Sequence, residues 1–342
     1  MRERVIGGVT SVRIGRDVLG EVADGSESMI AVLAQPGAGG IAEGIVADLE
    51  SRSVPASLKL LPDGESAKTL AVVEETAQWM SEVGLKRDGV VLGVGGGALT
   101  DVAGFVASVY MRGVEARYAP TTLLGAIDAS IGGKTAVNVG GKNLVGSFTH
   151  PTRVVIDVAV IEALGPDLLA EGMAEALKAG LIGDPDLLAI LESSGLGSDL
   201  NDVVARSIEV KASVVEQDFK EAGQRIHLNF GHTIGHAIET LVGWSHGRSV
   251  AVGMVAAAAI SREVLGFGES DRVSEAVAAL GLPVSCPGPS RDELHRLMRL
   301  DKKGTVEGAR MVLLEEVGRP RVSQVDSATL DLGLDAIGIG EQ

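Results

Sequence analysis

The sequence predicts an α/β first half with a mainly parallel sheet, followed by an all-helical second half. Two observations carry this. Short apolar runs alternate with helical patterns up to about residue 158, and from about residue 160 the pattern is helical almost throughout. Alternation of that kind places parallel strands under covering helices, because parallel strands need a crossover to connect them. The expected domains are therefore 1–158 and 159–342. A chain of 342 residues suits two medium domains better than one.

In order, MIAVLA (29–34) reads as a buried strand closed by the turn Gln35-Pro36-Gly37. A helical pattern covers 41–51, an apolar stretch follows at 56–61, and Pro62-Asp63-Gly64-Glu65 makes a turn. Helix is expected at 68–83, then a strand entering Gly93-Val94-Gly95-Gly96-Gly97, then helix at 99–110. A glycine cluster between a strand and a helix N-terminus lets backbone amides approach a phosphate. Gly93, Gly95 and Ala98 fit G-x-G-x-x-A, a pattern equally at home in a glycine-rich turn without a ligand. A strand at 116–119 leads to Thr121, Thr122 and two glycine loops carrying Lys134 and Lys142. Lysines in glycine loops suit a phosphate better than a packed core. Val154–Val158 closes the first half, and helices are expected at 167–182, 186–193, 200–216, 228–242, 248–265, 271–280 and 291–299.

Composition removes several function classes. Hydrophobic residues make up 45% and charged ones 22%, enough for a sizeable core. The net charge of −16 and the lack of a basic run argue against nucleic acid. MRERVIGGVTSV lacks the apolar core of a signal peptide, and Val250–Ile260 is too short to span a bilayer. The single cysteine, Cys286, fits a reducing compartment, so the expectation is a cytoplasmic protein with no membrane partner.

Four of the six histidines fall between Arg225 and His246. His232 and His236 are one helical turn apart, and nitrogen ligands on one face suit a divalent metal such as zinc. The same spacing also serves surface or core histidines. Glu175 and Lys178 share a helix face among alanines and Leu177, where an unpaired carboxylate is costly. They fit either a surface ion pair or a buried charged site. Lys211 and Asp301-Lys302-Lys303, read alone, pass as solvated surface.

The ordered set PDGESAK (62–68), GGGALTDVAGF (95–105), YMRGV (110–114), PTTLLGAIDASIGGKTAVN (120–138), GKNLVGSF (141–148), GMAEALKAG (172–180), RIHLNFGHTIGHAIE (225–239), HG (246–247) and DKK (301–303) resembles the 3-dehydroquinate synthases. The resemblance implies a Rossmann-like NAD-binding domain, a helical metal-binding domain, and an active site in the cleft between them. It implies zinc or cobalt held by Glu175, His232 and His246, with His236 in the pocket but off the metal. Implied NAD contacts are Asp63, Gly64, Glu65, Lys68, Gly96, Gly97, Asp101, Thr121, Thr122, Lys134 and Lys142. Implied substrate and catalytic residues are Asp128, Lys134, Asn143, Lys178, Lys211, Arg225, Asn229, His236 and a lysine of Lys302/Lys303. Arg112 is expected to reach a neighbouring subunit, hence a homodimer.

The family's substrate is a sugar phosphate, 3-deoxy-D-arabino-heptulosonate 7-phosphate. The family converts it to 3-dehydroquinate by transient oxidation with NAD, phosphate elimination, re-reduction and an intramolecular aldol. Three positions depart from the common pattern: Gln35 stands where an Asp usually meets the adenine ribose, the Lys134–Lys142 loop is one residue short, and Gly247-Arg248 replaces Gly-Glu. The rival readings are another sugar-phosphate cyclase, a metal-containing NAD-dependent polyol dehydrogenase, and a non-catalytic relative. Cyclases with other products tend to alter the AE-x-x-K or IGGKT segments, which are intact here.

Overall fold

The computed structural model describes residues 1–26, 28–300, 304–305 and 308–340. Lys302 and Lys303 lie outside the described residues. The chain forms two compact units, Met1–Leu164 with Lys211–Lys220, and Gly165–Val210 with Glu221–Gln342. The division near residue 158 suggested by composition thus lies just before Leu164. It also missed a short later segment, at the end of one helix, that belongs with the first unit.

The first unit is built on a seven-stranded sheet ordered β1-β2-β9-β6-β5-β3-β4. Its strands are β1 (Arg2–Ile6), β2 (Thr10–Gly15), β3 (Ile30–Ala34), β4 (Ala56–Leu60), β5 (Val90–Gly95), β6 (Glu115–Pro120) and β9 (Arg153–Asp157). Only β1 runs antiparallel, as the edge of a hairpin with β2. All residues of β3 and β5 are buried, so both sheet faces are covered, as their unbroken apolar runs require. The crossover helices are α1 (Gly39–Ser51), α2 (Leu70–Glu82) and α3 (Gly97–Val109), with the short α4 (Val158–Glu162) after β9. Thr69 caps α2 through its side chain, and Asp157 caps α4 while also accepting from the Val18 amide. Between β6 and β9 a small hairpin, β7 (Lys134–Val137) with β8 (Val145–Phe148), carries the second glycine loop.

The second unit contains α5 (Pro166–Gly183), α6 (Pro185–Ser194), the first part of α7 (Leu200–Gln217), α8 (His232–Val242), α9 (His246–Leu265), α10 (Ser270–Ala279), α11 (Arg291–Leu300) and α12 (Ser327–Ala336). The helices expected between residues 167 and 299 form, and two elements the sequence reading did not include are added, α12 and a sheet. A three-stranded antiparallel sheet forms from β10 (Gly304–Thr305), β11 (Gly308–Glu316) and β12 (Arg319–Asp326). It packs on α9, where the Leu314 amide donates to Ser261 Oγ (3.0 Å). The expected helix at 228–242 is two elements, a 3-10 turn over Gln224–Asn229 and then α8, broken at Gly231 in the left-handed region (φ 78°).

The pairing of α8 with α9 positions three histidines, and glycine makes it possible. A Cβ at Gly253 of α9 would sit 2.0 Å from the Gly231 carbonyl oxygen, and one at Gly235 would sit 3.0 Å from the Ser249 carbonyl. The two backbones therefore touch with no side chain between them. Gly253→Ala should lower unfolding free energy by roughly 2–3 kcal/mol through overpacking, measured by urea denaturation. An unchanged midpoint would show that α8 and α9 separate without cost.

Candidate active site in two polar clusters

The helical unit holds the first cluster. Glu175 and Lys178 lie on α5, His232 opens α8, and His246 opens α9. Glu175 is 3% exposed and Lys178 4%, so both charges are taken out of water and each needs the other. The Lys178 ammonium donates to Glu175 Oε2. The second carboxylate oxygen, Oε1, is buried without a hydrogen-bond donor among the described residues. It faces His232 Nε2 at 3.6 Å and His246 Nε2 at 3.5 Å.

The orientation of each imidazole follows from its outer nitrogen. His232 Nδ1 lies 3.1 Å from the Phe230 carbonyl, which can only accept, so the proton is on Nδ1 and the Nε2 lone pair points inward. His246 Nδ1 lies 3.4 Å from Glu239 Oε2. Burial alone would push the Glu175 carboxyl up, but Lys178, His232 and His246 outweigh it and hold it well below the usual carboxylate range. Burial and the Lys178 charge push His232 well down. Burial also works against a charged His246, but the Glu175 and Glu239 carboxylates prevail and push it up to about 10.

The donor atoms of Glu175, His232 and His246 all lie within 4.8 Å of one another. One carboxylate oxygen, buried without a hydrogen-bond partner among the described residues, and two imidazole nitrogens fit a zinc-like ion. His236, Glu239 and His246 form a second grouping of the same kind, with His236 exposed.

The same unit carries further residues singled out from the sequence. Arg225 is 2% exposed, at the start of the 3-10 turn. Asn229 ends that turn and donates to Glu221 Oε1 (3.2 Å) and the Ile226 carbonyl (3.1 Å). Glu171, to which sequence reasoning gave no role, seats His246. Its Oε2 accepts from the Gly247 amide (2.7 Å) and its Oε1 accepts from the Ser245 hydroxyl. A carboxylate at a helix N-terminus also meets the positive end of the helix dipole. A Cβ at Gly247 would lie 2.4 Å from the Glu171 carbonyl, which explains the glycine after His246. Arg248 stacks its guanidinium over Trp244 at 5.2 Å.

The second cluster belongs to the first unit. Lys68, 3% exposed, donates to Asp101 Oδ2 and to Asn143 Oδ1, both at 2.5 Å. Asn143 is held in the left-handed region (φ 55°), and its amide donates to Asn138 Oδ1 (2.9 Å). Asn138 also donates to Glu65 Oε2 (2.8 Å), so one asparagine to which sequence reasoning gave no role links the PDGE turn to the shortened lysine loop. Gln35 donates its amide hydrogens to the Pro62 and Gly64 carbonyls (2.8 and 2.9 Å). It thereby braces the turn carrying Asp63, Gly64 and Glu65.

Gly96 caps α3 and Gly97 begins it, leaving the first amides of that helix without intrahelical partners, a donor set suited to a pyrophosphate. The Thr121 amide donates to the Gly95 carbonyl (2.9 Å), and Thr122 Oγ1 accepts from Gly125 (3.0 Å). Lys211 donates to the Asp128 carbonyl (2.5 Å) and pairs with its carboxylate. It is therefore no solvated surface lysine. Phe219, near the end of the same segment, stacks on His150 at 4.1 Å. Lys134 begins β7, Lys142 sits in the exposed loop after it, and both side chains are exposed. Arg112 is exposed in a turn where Met111, Arg112 and Gly113 all have positive φ.

Comparison with known proteins decides the family. The 3-dehydroquinate synthase N-terminal family model matches residues 58–171, and the corresponding C-terminal model matches 172–304. The 3-dehydroquinate synthase of Saccharopolyspora erythraea is 41% identical over 322 residues, covering 90% of this chain and 87% of that one. The chain belongs to the 3-dehydroquinate synthase family.

Among solved structures, 2-deoxy-scyllo-inosose synthase with carbaglucose-6-phosphate, NAD+ and Co2+ has a TM-score of 0.87 at 26% identity, covering 98% of this chain and 99% of that one. The 2-epi-5-epi-valiolone synthase of Streptomyces hygroscopicus with NAD+ and Zn2+ also has a TM-score of 0.87 at 26% identity, covering 98% of each chain. The 3-dehydroquinate synthase family thus shares its architecture with cyclases that make other products.

The Lys68 cluster makes a pH-dependent prediction. Burial pushes the Asp101 carboxyl up to about 6, more than the Lys68 ammonium pulls it down. The folded chain then takes up a proton near pH 6 that an unfolded aspartate takes up only near about 4. This contribution to stability is present at low pH and lost as pH rises through about 6. Relative to Asp101→Asn, the wild type should therefore gain stability between pH 7 and 5, in urea denaturation. A constant difference between the two would refute the raised carboxyl.

Proposed function

We propose that this chain converts 3-deoxy-D-arabino-heptulosonate 7-phosphate to 3-dehydroquinate and phosphate, as a lyase that uses NAD catalytically and depends on a divalent metal. The observation that carries it is the buried Glu175 Oε1, without a hydrogen-bond partner among the described residues and faced by two imidazole nitrogens, in a chain of this family. Glu175, His232 and His246 would hold zinc or cobalt, which when bound polarises a substrate oxygen. Glu65, Lys68, Gly96, Gly97, Asp101, Thr121, Thr122 and Lys142, with Asp63, Gly64 and Lys134, would hold NAD, which when bound would take one hydride from the substrate and return it later in the same turnover.

The chain's own residues account for the rest of the inventory. Lys178 keeps Glu175 ionised, which the carboxylate needs in order to act as a ligand. Arg225, held rigid by burial, offers a forked cation to an anionic end of the substrate. Asn229 has its amide hydrogens committed to Glu221 and Ile226, which leaves its carbonyl oxygen to accept from a hydroxyl. Lys134 and Asn143 suit the substrate's charged groups, with Lys211 fixing Asp128 and the exposed His236 imidazole offering a hydrogen-bonding group. The strained, exposed turn at Arg112 supports its reaching a second copy in a homodimer. The lone, buried Cys286 supports a reducing, cytoplasmic setting. Among the described residues no helix is long and apolar enough to cross a membrane.

Purified protein given the heptulosonate phosphate, NAD and Zn2+ should release inorganic phosphate with no net NADH. Steady NADH accumulation would instead place it with the polyol dehydrogenases. Release of phosphate from a different sugar phosphate in preference would place it with another cyclase. Arg225→Ala and Lys178→Ala should each lower kcat by about 10²- to 10³-fold with the helical circular dichroism retained. Near-normal rates in both would remove them from the mechanism.

A further inference from the structure

The two imidazoles that face Glu175 differ in what stands behind them. His232 donates from Nδ1 to a neutral backbone carbonyl, that of Phe230, 3.1 Å away. His246 has a carboxylate behind it, with Glu239 Oε2 3.4 Å from Nδ1. Glu239 is well placed for this by α8 itself. His232, His236 and Glu239 fall at i, i+4 and i+7, so they share one helix face that looks toward the start of α9. The Glu239 side chain is only 15% exposed, so water weakens this contact less than it weakens a surface pair.

We propose that Glu239 is a positioning residue that makes His246 the stronger of the two imidazole ligands. Its carboxylate takes the Nδ1 proton as acceptor, fixes the tautomer that leaves Nε2 free to bind, and raises the basicity of Nε2. The backbone carbonyl behind His232 fixes the tautomer but, being neutral, donates less electron density. Glu171 completes the arrangement from the other side by holding the Gly247 amide and the Ser245 hydroxyl, which sets where the His246 backbone starts. The ring is thus fixed at its outer nitrogen by one carboxylate and at its main chain by another.

This inference rests on Glu175, His232 and His246 being the metal ligands, and the test separates the two readings. Metal-free protein is titrated with Zn2+ against a competing chelator, and the Co2+-loaded protein is examined by visible absorption. The wild type should bind one ion per chain, and Glu175→Ala should lose it. Glu239→Gln should weaken zinc by about 10- to 100-fold and shift the Co2+ ligand-field bands. Glu239→Asp, which keeps the charge, should recover part of the affinity, a result that a purely packing role does not give.

An affinity for Glu239→Gln within about threefold of wild type would overturn the positioning role while leaving the ligand reading intact. Two ions per wild-type chain, falling to one in Glu239→Gln, would also overturn it. Glu239 would then be a ligand, with His236 and His246, of a second ion. Failure of the wild type to bind zinc at all would overturn both readings.

Discussion

A single carboxylate buried among alanines and leucines sets the terms for the helical unit. Glu175 sits on a helix whose neighbouring positions, Ala174, Ala176 and Leu177, are all buried. A charge there is tolerated only if enough positive or polarisable groups surround it. Lys178 supplies one from the next turn of the same helix. The others must come from elsewhere in the sequence, and α8 and α9 deliver them by their first residues. That explains why these helices meet through glycines, since a wider separation would draw the His232 and His246 rings apart. It also explains the investment in the start of α9, where Glu171 holds both the residue before and the residue after His246.

The first unit solves a different problem, the shaping of backbone rather than the focusing of charge. Its glycine turn after β5 opens α3 with unpaired amides, and the side chains around the neighbouring turns keep them in place. Gln35 is the instructive case. An aspartate there could not donate to the Pro62 and Gly64 carbonyls, whereas the glutamine amide donates to both. The Gln35 side chain is thus a brace on the PDGE turn. Lys68 plays the matching part from the other side, tying Asp101 of α3 to Asn143 of the hairpin loop. The loop is therefore anchored at Asn143.

Much of this was legible in the sequence where the signal is periodic or compositional. The unbroken apolar runs at β3 and β5 and the amphipathic periods of α5 to α10 give the right element types, because burial on two faces or on one stripe leaves a direct trace. The terminal sheet was not legible. Strand β12 is largely exposed and carries Pro320 and Arg321, so no apolar alternation marks it, and its stability comes from pairing with β11. The break at Gly231 was missed for a similar reason, since apolar spacing continues across it and only the left-handed φ interrupts the helix. At the site, Glu175, His232 and His246 could be named from motif resemblance, but local spacing favoured the pair His232 and His236. Tertiary geometry brings His246 rather than His236 to Glu175, because α9 begins where α8 has turned back. Glu171, Asn138 and Glu239 act through other residues, and a residue of that kind leaves no motif of its own.

The likeness to the inosose and valiolone cyclases sharpens what the fold can and cannot decide. Chains only 26% identical keep a TM-score of 0.87 over nearly their whole length, so the backbone frame is common to several products. Discrimination must then reside in side chains mounted on that frame. Polar groups that are buried and already committed are the effective ones, because a substrate that fails to match them leaves them unpaired at a cost of kilocalories. Asn229 shows how this works. With both amide hydrogens held by Glu221 and Ile226, it would offer only an acceptor to a substrate bound as proposed. Arg225, buried to 2%, cannot swing to follow a displaced anion. A frame shared by many cyclases becomes selective through such immobilised donors and acceptors, whose freedom was removed by the fold before any substrate arrived.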